Sequence, residues 1–299
     1  MYKGKKLVLG GAQFTFNYGL KKRTNINFNQ KKFIQYCYKY GFREFDSAFA
    51  YNVKNSIYGL LNKNRFKISS KLPYFKNINN KDLIKFLNNK IENYLKKKKI
   101  SKLHILYIHD TKIFKDKKKL NLIFNFLKLL KKRKKINKIG FSIYSPSDLL
   151  NIKKNLISQF PDVLQIPCNF FDRRFCNTKI VSILKKMKSE IYVRSIFLQG
   201  LLLMEKKDRP KYFLNFKENL KFWDEYSEFT YENKVMNSIN FVKNLDFINK
   251  IIVGFDDLKD LNIFYKYFKR DKRKTYIKNF DYRYKIDLNL IDPRKWKIK

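Results

Sequence analysis

The sequence Leu103-His104-Ile105-Leu106-Tyr107-Ile108 is almost uninterrupted in apolar character. Its length and its lack of polar alternation are typical of a strand that is covered on both faces, as in a parallel sheet. Helical patterns flank it on both sides, because apolar residues recur at positions 83, 87, 91 and 95 and again at 120, 123, 127 and 130. The pattern therefore predicts one buried strand between two amphipathic helices.

Seven similar runs alternate with helical patterns along the chain. The eight predicted strands are Leu7–Leu9, Glu44–Asp46, Phe66–Lys71, Leu103–His109, Lys138–Ser142, Val163–Pro167, Ile191–Arg194 and Ile251–Gly254. Such an alternation forms either a closed parallel barrel or an open doubly wound sheet, and periodicity does not separate the two. Because no Gly/Ser-rich or Pro-rich linker divides the sequence, residues 1–299 are predicted to form a single domain.

Three stretches predict helix ends. Ser145-Pro146-Ser147-Asp148 combines an N-cap residue, a proline at the first helical position and an acid at the third. Residues 27–30 give a weaker start signal, and Gly41 is predicted to end the helix before it. The lysine runs at 96–99 and 131–135 are interpreted as solvated helix ends, where cations complement the helix dipole.

The chain carries 68 Lys and Arg residues against 25 Asp and Glu, a formal net charge of +43. Such a charge is typical of proteins that bind nucleic acids or anionic membranes. However, the abundant Lys, Asn, Ile, Phe and Tyr all have AT-rich codons, and lysines are spread along the whole chain instead of on one element. We therefore interpret the charge as codon bias, and we expect neither a specific nucleic-acid partner nor a membrane partner.

The cysteines and the N-terminal sequence indicate the cellular compartment of the protein. The three cysteines at positions 37, 168 and 176 form no C-x-x-C pair, which indicates ordinary thiols in a reducing compartment. The apolar run after the basic N-terminus is too short for a secretory signal, and no stretch approaches the ~20 apolar residues of a membrane span. We expect a cytoplasmic protein; its oligomeric state is not predicted.

Functional residues of parallel α/β folds gather where strands end. Asp46, Lys71 and His109 end the second, third and fourth predicted strands, and Tyr51 follows Asp46 by five residues. A carbonyl that becomes an alkoxide needs a proton donor. Tyrosine, with a pKa of ~10, becomes a better donor when an ammonium such as that of Lys71 lowers this pKa. Asp46 would orient Lys71, and neutral His109 would donate a hydrogen bond to the carbonyl oxygen.

Each of these residues also has a structural interpretation. Asp46 would cap a loop or helix, Tyr51 is one of 20 tyrosines, and Lys71 is one of many lysines. Their joint occurrence at successive strand ends favours the catalytic interpretation. No His, Asp, Glu or Cys cluster has metal-ligand spacing, so no metal is predicted.

The segment Gly41-Phe42-Arg43-Glu44-Phe45-Asp46-Ser47-Ala48-Phe49-Ala50-Tyr51 resembles the G-F-R-x-x-D-T-A-x-x-Y motif of the aldo-keto reductase family, with serine at the usual threonine position. Further similarities follow in chain order. Residues 9–14 resemble an L-G-T-A-Q-F opening, 70–73 the lysine segment, 106–109 the histidine segment, 138–142 the G-V-S segment and 164–169 the Q-x-x-x-N segment. The resemblance covers about residues 7–261 and implies a (β/α)8 barrel.

The resemblance also implies roles for individual residues. Tyr51 would be the general acid, Lys71 and Asp46 would tune it, and His109 would orient the substrate. The implied cofactor contacts are Gly10, Gly11, Asp46, Ser142, Gln165, Arg194, Gly254 and Asp257. Of these, Ser142 and Gln165 would bind the nicotinamide carboxamide, the two glycines at 10 and 11 would let the backbone pass close to the cofactor, and the helix that Asp257 caps would face the pyrophosphate.

The sequence departs from the family at three places. The loop at residues 52–57 lacks the usual Y-G-x-S-E continuation. Arg194 replaces a tyrosine that stacks on the nicotinamide in many members, and would either stack on the cofactor or bind an acidic substrate group. Acidic residues at 256, 257 and 260 would repel a 2′-phosphate. The family implies NADP as the cofactor, with NAD as the alternative.

The leading hypothesis is a reductase of a small aldehyde or ketone. The segment Arg194-Ser195-Ile196-Phe197-Leu198-Gln199-Gly200 resembles a bacterial branch associated with sugar or cell-surface polysaccharide pathways, which implies a sugar-derived carbonyl. The basic segment 270–299 is expected to pack across the barrel rim and shape the substrate pocket. Two alternatives are a barrel that binds nucleic acid or another anion without catalysis, and a non-catalytic barrel that binds the cofactor and regulates a partner.

Overall fold

The computed structural model describes residues 6–15, 19–20, 29–75, 78–157, 159–270 and 287–298. Eight parallel strands form a closed barrel in chain order, and β1 pairs with both β2 and β8. The strands are β1 Lys6–Gly10, β2 Glu44–Asp46, β3 Lys67–Lys71, β4 Leu103–Ile108, β5 Ile136–Ser142, β6 Val163–Pro167, β7 Glu190–Arg194 and β8 Lys250–Val253. The predicted (β/α)8 barrel is therefore confirmed, and the open sheet is excluded.

Helices surround the barrel. They are α1 Gln30–Lys39, α2 Asn55–Lys63, α3 Asn80–Lys98, α4 Lys117–Lys132, α5 Pro146–Leu156, α6 Thr178–Lys186, α7 Lys217–Tyr226, α8 Tyr231–Lys243, α9 Leu258–Lys269 and α10 Leu288–Ile291. Every apolar residue that defined the predicted faces of α3 and α4 is buried, from Leu83 to Leu95 and from Leu120 to Leu130. The lysines at 96–98 and 131–132 occupy the last turns of these two helices.

The predicted helix ends are confirmed at two of the three places. Ser145 and Asp148 form a reciprocal capping box at the start of α5, with Pro146 in its first turn. Gly41 has φ +89 and follows the C-cap of α1, a backbone conformation that favours glycine. The side chain of Asn29 caps α1, while residues 27 and 28 of the weaker start signal lie outside the described residues.

Two strands end one residue earlier than predicted. His109 follows the last residue of β4, and Gly254 follows the last residue of β8. Both belong to βα loops because their backbones have left the ladder hydrogen bonding. β1 and β5 are in turn longer than predicted, since Lys6 and Ile136 already pair with neighbouring strands.

The barrel interior has its own buried cluster. Val8, Ile105, Tyr107, Val163, Tyr192 and Ile252 pack together there. Below them, Glu44 accepts hydrogen bonds from Lys250 (2.5 Å) and from the Tyr192 hydroxyl (3.2 Å). The lysine charge compensates the buried carboxylate, whose pKa is lowered to about 2 because hydrogen bonds and charges from His104 and Lys250 outweigh the opposing effect of its burial.

A second apolar cluster lies at the end of the barrel, apart from the large core between strands and helices. Phe170, after β6, packs on Trp223 of α7 with ring centres 4.4 Å apart. Trp296 contacts Phe213 at 5.0 Å, which places the chain after α10 against the same cluster. Of the segment 270–299, residues 271–286 and 299 lie outside the described part.

No helix within the described residues is long and apolar enough to cross a membrane. All three cysteines are free thiols, and the sulfur atoms of Cys168 and Cys176 lie 3.7 Å apart.

Candidate active site

A cavity of about 820 Å³ opens at the carboxyl ends of the strands, within the size range of small-molecule sites. Nine of the predicted site residues line it: Gly10, Gly11, Asp46, Tyr51, Lys71, His109, Gln165, Arg194 and Gly254. Ser142 and Asp257 are not part of the lining.

The alternation of side chains along the strands explains why these residues converge. The buried interior cluster includes Val8, Tyr107, Val163, Tyr192 and Ile252. Because side chains two positions apart point to the same face, the next inward positions along these strands are Gly10, His109, Gln165, Arg194 and Gly254. Register extends the rule to β2 and β3, where Gly10 pairs with Asp46 and Asp46 pairs with Ser69, two residues before Lys71.

Lys71 and Asp46 form a buried ion pair at the floor of the cavity. The Lys71 ammonium donates to Asp46 Oδ2 at 2.6 Å and to the Ser47 carbonyl oxygen at 3.0 Å. Both residues are less than a tenth exposed. Gln165 Nε2 donates to the other carboxylate oxygen of Asp46 at 3.0 Å. The carboxylate is thus satisfied on both oxygens, and it holds the lysine charged and fixed in place.

Tyr51 sits in the loop after β2, where its backbone N–H donates to the Ala48 carbonyl oxygen at 2.9 Å. Lys71 Nζ lies 5.8 Å from the centre of the Tyr51 ring. Burial raises the pKa of the Tyr51 hydroxyl, Asp46 raises it further, and the charge of Arg194 opposes the increase.

The predicted lowering of the Tyr51 pKa is therefore wrong. The pKa is raised, because burial disfavours the phenolate and the charge of Asp46 disfavours it further, while the charge of Arg194 acts in the opposite direction. Tyr51 consequently keeps its proton at neutral pH, as a proton donor must before reaction.

His109 forms a hydrogen bond with Tyr144. Its Nε2 atom lies 3.2 Å from the Tyr144 hydroxyl, and its buried Nδ1 has no hydrogen-bond partner among the described residues. Desolvation by burial, followed by the charges of Lys71, Arg194 and Arg294, lowers the pKa of His109 to about 3. The imidazole is therefore neutral at physiological pH and donates a hydrogen bond from one nitrogen only.

Ser142 acts behind the cavity wall. It is fully buried, and its hydroxyl donates to Gln165 Oε1 at 3.2 Å. This bond orients the Gln165 amide, which itself lines the cavity. Ser142 thus contacts Gln165, and of these two residues only Gln165 lines the cavity.

Two glycines stand where an added side chain would meet other atoms, backbone at Gly11 and the end of a flexible side chain at Gly254. A Cβ atom on Gly11 would lie 2.9 Å from the Asp46 carbonyl oxygen and 2.7 Å from the Phe45 ring. A Cβ atom on Gly254 would lie 1.8 Å from the Gln13 side chain. Both positions stand in the cavity wall, so a larger residue would displace the wall or fill the space at the strand ends.

The start of α9 closes the far end of the cavity. Asp257 is exposed and caps the helix by accepting a hydrogen bond from the Asp260 N–H at 2.8 Å. Asp256 and Asp260 face the cavity, and Asp260 also accepts a hydrogen bond from the Tyr231 hydroxyl at 2.6 Å. Asp257 thus supports the helix, while Asp256 and Asp260 line this end of the cavity.

The residues present fit a nicotinamide dinucleotide. Gln165 offers an amide to a carboxamide, the strand-end glycines Gly10 and Gly254 line the cavity, and the first N–H groups of the twelve-residue α9 suit a pyrophosphate. Among the described residues, no group of three or more His, Cys, Asp or Glu has the arrangement of a metal site.

Tyr144 and Arg294 line the cavity without having been singled out from the sequence. Tyr144 follows the end of β5 by two residues, and Arg294 comes from the short 3₁₀ turn Pro293–Lys295 near the C-terminus. The signal for Tyr144 was its place just beyond a strand end. Arg294 belongs to the segment 270–299, which was expected to shape the substrate pocket, and the described residues 293 and 294 of this segment do line the cavity.

Comparison with known proteins agrees with the fold. The model of the aldo/keto reductase family matches residues 6–251, and no curated protein matches significantly. A protein from Pseudomonas aeruginosa assigned as an aldo-keto reductase superposes with a TM-score of 0.59 at 16% identity, covering 89% of this chain and 92% of its own. The holo form of an aldo-keto reductase from Bacillus halodurans gives 0.65 at 13% identity, covering 82% and 83%. The structural similarity supports the fold, and the family match, which spans most of the chain, shows that this protein belongs to the aldo/keto reductase family of NAD(P)-dependent oxidoreductases.

Proposed function

We propose that the chain reduces an aldehyde or ketone to an alcohol, with Tyr51 as the proton donor. The observation that carries the proposal is the convergence of Tyr51, His109 and the buried Lys71–Asp46 pair on one cavity. These are the groups that a carbonyl needs when negative charge develops on its oxygen.

The roles follow from protonation states. A bound nicotinamide cofactor supplies the hydride. Neutral His109 donates a hydrogen bond to the carbonyl oxygen and sets its direction, while Tyr51 transfers a proton to the same oxygen. The Lys71 ammonium stabilises the phenolate that remains on Tyr51, and Asp46 keeps the ammonium in position. The proton on Tyr51 is then restored from solvent through the open side of the cavity.

The Tyr51→Phe variant tests this assignment. Turnover of an aldehyde should fall at least about 100-fold, because the proton donor is lost. The affinity for reduced cofactor, measured by fluorescence titration, should stay within a factor of two or so of the original.

Tyr74→Phe is the matched control, since Tyr74 is exposed and its ring lies 5.7 Å from that of His109 without lining the cavity. It should retain turnover. Full activity of Tyr51→Phe would rule out Tyr51 as the donor.

We propose NADH as the preferred cofactor. The family resemblance favours NADPH, but Asp256 and Asp260 line the end of the cavity next to α9, and their charge opposes a 2′-phosphate. In fluorescence titrations, NADH should bind on the order of tenfold more tightly than NADPH at low salt. Asp256→Asn should narrow this difference. Tighter binding of NADPH, unchanged by the substitution, would overturn the preference.

The substrate is proposed to be a sugar-derived or similar small carbonyl compound. The segment 194–200, which resembles a branch associated with sugar pathways, continues into the 3₁₀ turn Leu198–Leu203, and most of its residues line the cavity. The test is a screen of free sugars and simple aldehydes. A preference for apolar aldehydes over hydroxylated ones would contradict the proposal.

A further inference from the structure

Two guanidinium groups contact the same tyrosine in the cavity. The Cζ atoms of Arg194 and Arg294 lie 4.4 and 3.8 Å from the centre of the Tyr144 ring, both within cation–π range. The hydroxyl of Tyr144 is the group that bonds His109. The two cations therefore stand next to the residue that orients the carbonyl.

Arg194 forms no salt bridge with a carboxylate in the part of the chain that the structure describes, and its buried Nε has no hydrogen-bond partner there. Burial raises the pKa of Asp172 and the charge of Arg194 opposes this increase, but the salt bridge of Asp172 is with Arg174. The other contacts of Arg194 are neutral, at 3.3 Å to the hydroxyl of Ser195 and 3.3 Å to the carbonyl oxygen of Ile143. A partly buried cation of this kind attracts an anion strongly, because surrounding water screens it little.

Arg294 is held in a fixed orientation. Its Nε and Nη2 atoms donate to the two carboxylate oxygens of Asp292 at 2.8 and 2.6 Å. These two bonds do not involve the Nη1 atom of the guanidinium, and Arg294 lines the cavity together with Pro293. Half of the side chain is exposed, so a ligand reaches it without displacing Asp292.

Several carboxylates near Arg194 and Arg294 already have hydrogen-bond or ion-pair partners. Asp148 accepts hydrogen bonds from the backbone N–H groups of Tyr144 and Ser145, and Asp172 pairs with Arg174 at 2.7 Å. Asp110 accepts a hydrogen bond from the Lys112 N–H at 3.0 Å. Asp46 and Asp292 are paired as described above. The positive potential is consistent with the strongly lowered pKa of His109, to which Lys71, Arg194 and Arg294 contribute after burial.

We propose that Arg194 and Arg294 form a subsite for an anionic group of the substrate, so that the chain reduces carbonyl compounds bearing a carboxylate or a phosphate. Of the two roles that the sequence left open for Arg194, the contact with Tyr144 beside His109 favours substrate binding. The inference rests on the proposed reductase function, whose cavity it shares. Guanidinium groups suit both anions because their donors match two oxygens at once.

The test compares matched substrates. 4-Carboxybenzaldehyde and its methyl ester present the same aldehyde with and without the charge, and glyceraldehyde 3-phosphate and glyceraldehyde do so for phosphate. The wild-type ratio of kcat/KM, charged over neutral, should exceed one in at least one pair. It should fall about 10- to 100-fold in Arg294→Gln and in Arg194→Gln, the range expected for loss of a charged hydrogen bond.

Lys85→Gln is the matched control, because it removes one exposed positive charge from α3, away from the cavity. Its ratios should stay unchanged, and the affinity of Arg294→Gln for NADH should be that of wild type. The pair that responds shows whether the anion is a carboxylate or a phosphate.

A binding measurement tests the subsite independently of catalysis. Calorimetric titration with 4-(hydroxymethyl)benzoate and its methyl ester needs no turnover. If the protein binds the acid and Arg294→Gln weakens this binding, the subsite is supported even when neither aldehyde is reduced. The lack of reduction would then contradict only the reductase proposal. Equal binding of acid and ester, or ratios insensitive to both arginine substitutions in proteins that still bind NADH, would overturn the subsite.

Discussion

The neutrality of His109 is the part of the mechanism that can be measured most directly. Burial and three neighbouring cations lower the pKa of this residue to about 3, against an ordinary value of 6.5. We expect His109 to stay uncharged from pH 8 down to pH 5, so that it donates one hydrogen bond and repels neither Lys71 nor Arg194. The variant His109→Gln removes the titrating group.

The lowered pKa makes stability depend on pH in a known direction. Below pH 6.5 the unfolded chain binds a proton at this histidine, whereas the folded chain does not until pH 3. The stabilisation from His109 is therefore complete above pH 6.5 and is lost as the pH falls from 6.5 towards 3. Between pH 7 and pH 5, the linkage relation gives a loss of about 2 kcal/mol in the free energy of unfolding from this residue.

Urea unfolding at pH 7 and pH 5 measures the effect. Wild type should lose about 2 kcal/mol more than His109→Gln over this interval, because the other titrating groups are common to both proteins. NMR of protein labelled at the histidine ring carbons supplies an independent value. The chain has only two histidines, so the signal that disappears in His109→Gln is that of His109.

A His109 signal that titrates near pH 6.5 would refute the reasoning, and so would equal pH dependence of stability in the two proteins. Either result would mean that the site holds the imidazolium. In that case the substrate carbonyl would meet a charged donor instead of a neutral one.

Two further perturbations follow from the same site. Asp46→Asn should destabilise the protein by about 3 kcal/mol in urea unfolding, since it leaves the buried Lys71 ammonium without a counter-charge. If adding Lys71→Met to this variant restores no stability, the broken ion pair is not the cause of the lost stability. Gly11→Ala should lower the free energy of unfolding by about 1–3 kcal/mol and raise the Kd for reduced cofactor, because the added Cβ meets the Asp46 carbonyl oxygen at 2.9 Å. An unchanged stability together with an unchanged Kd would show that the cavity wall moves to accommodate the methyl group.

Much of the fold was accessible from the sequence because it depends on local pattern. Apolar runs such as that at 103–108 have the length of buried strands, and helix α5 begins at its capping box. The carboxyl ends of the strands were accurate to one residue. Periodicity did not decide between a barrel and an open sheet, because that choice depends on whether β1 pairs with β8, a contact between residues more than 240 positions apart.

The same distinction between local and long-range information applies to the chemistry of the site. The positions of Asp46, Lys71 and His109 at strand ends were visible in the sequence, because parallel strands bring their carboxyl ends to one rim. Their electrostatics were not. The direction of the Tyr51 pKa shift depends on the burial of its hydroxyl and on the charges of Asp46 and Arg194 around it.

The sequence by itself determined the alternation of strands and helices and the residue types at the strand ends, since both follow from neighbours in the chain. Only the tertiary structure decided the closure of the barrel, the raised pKa of Tyr51 and the arrival of Arg294 beside Tyr144. The physical reason is that these depend on groups brought together from distant parts of the chain, where burial removes the water that would otherwise screen their charges.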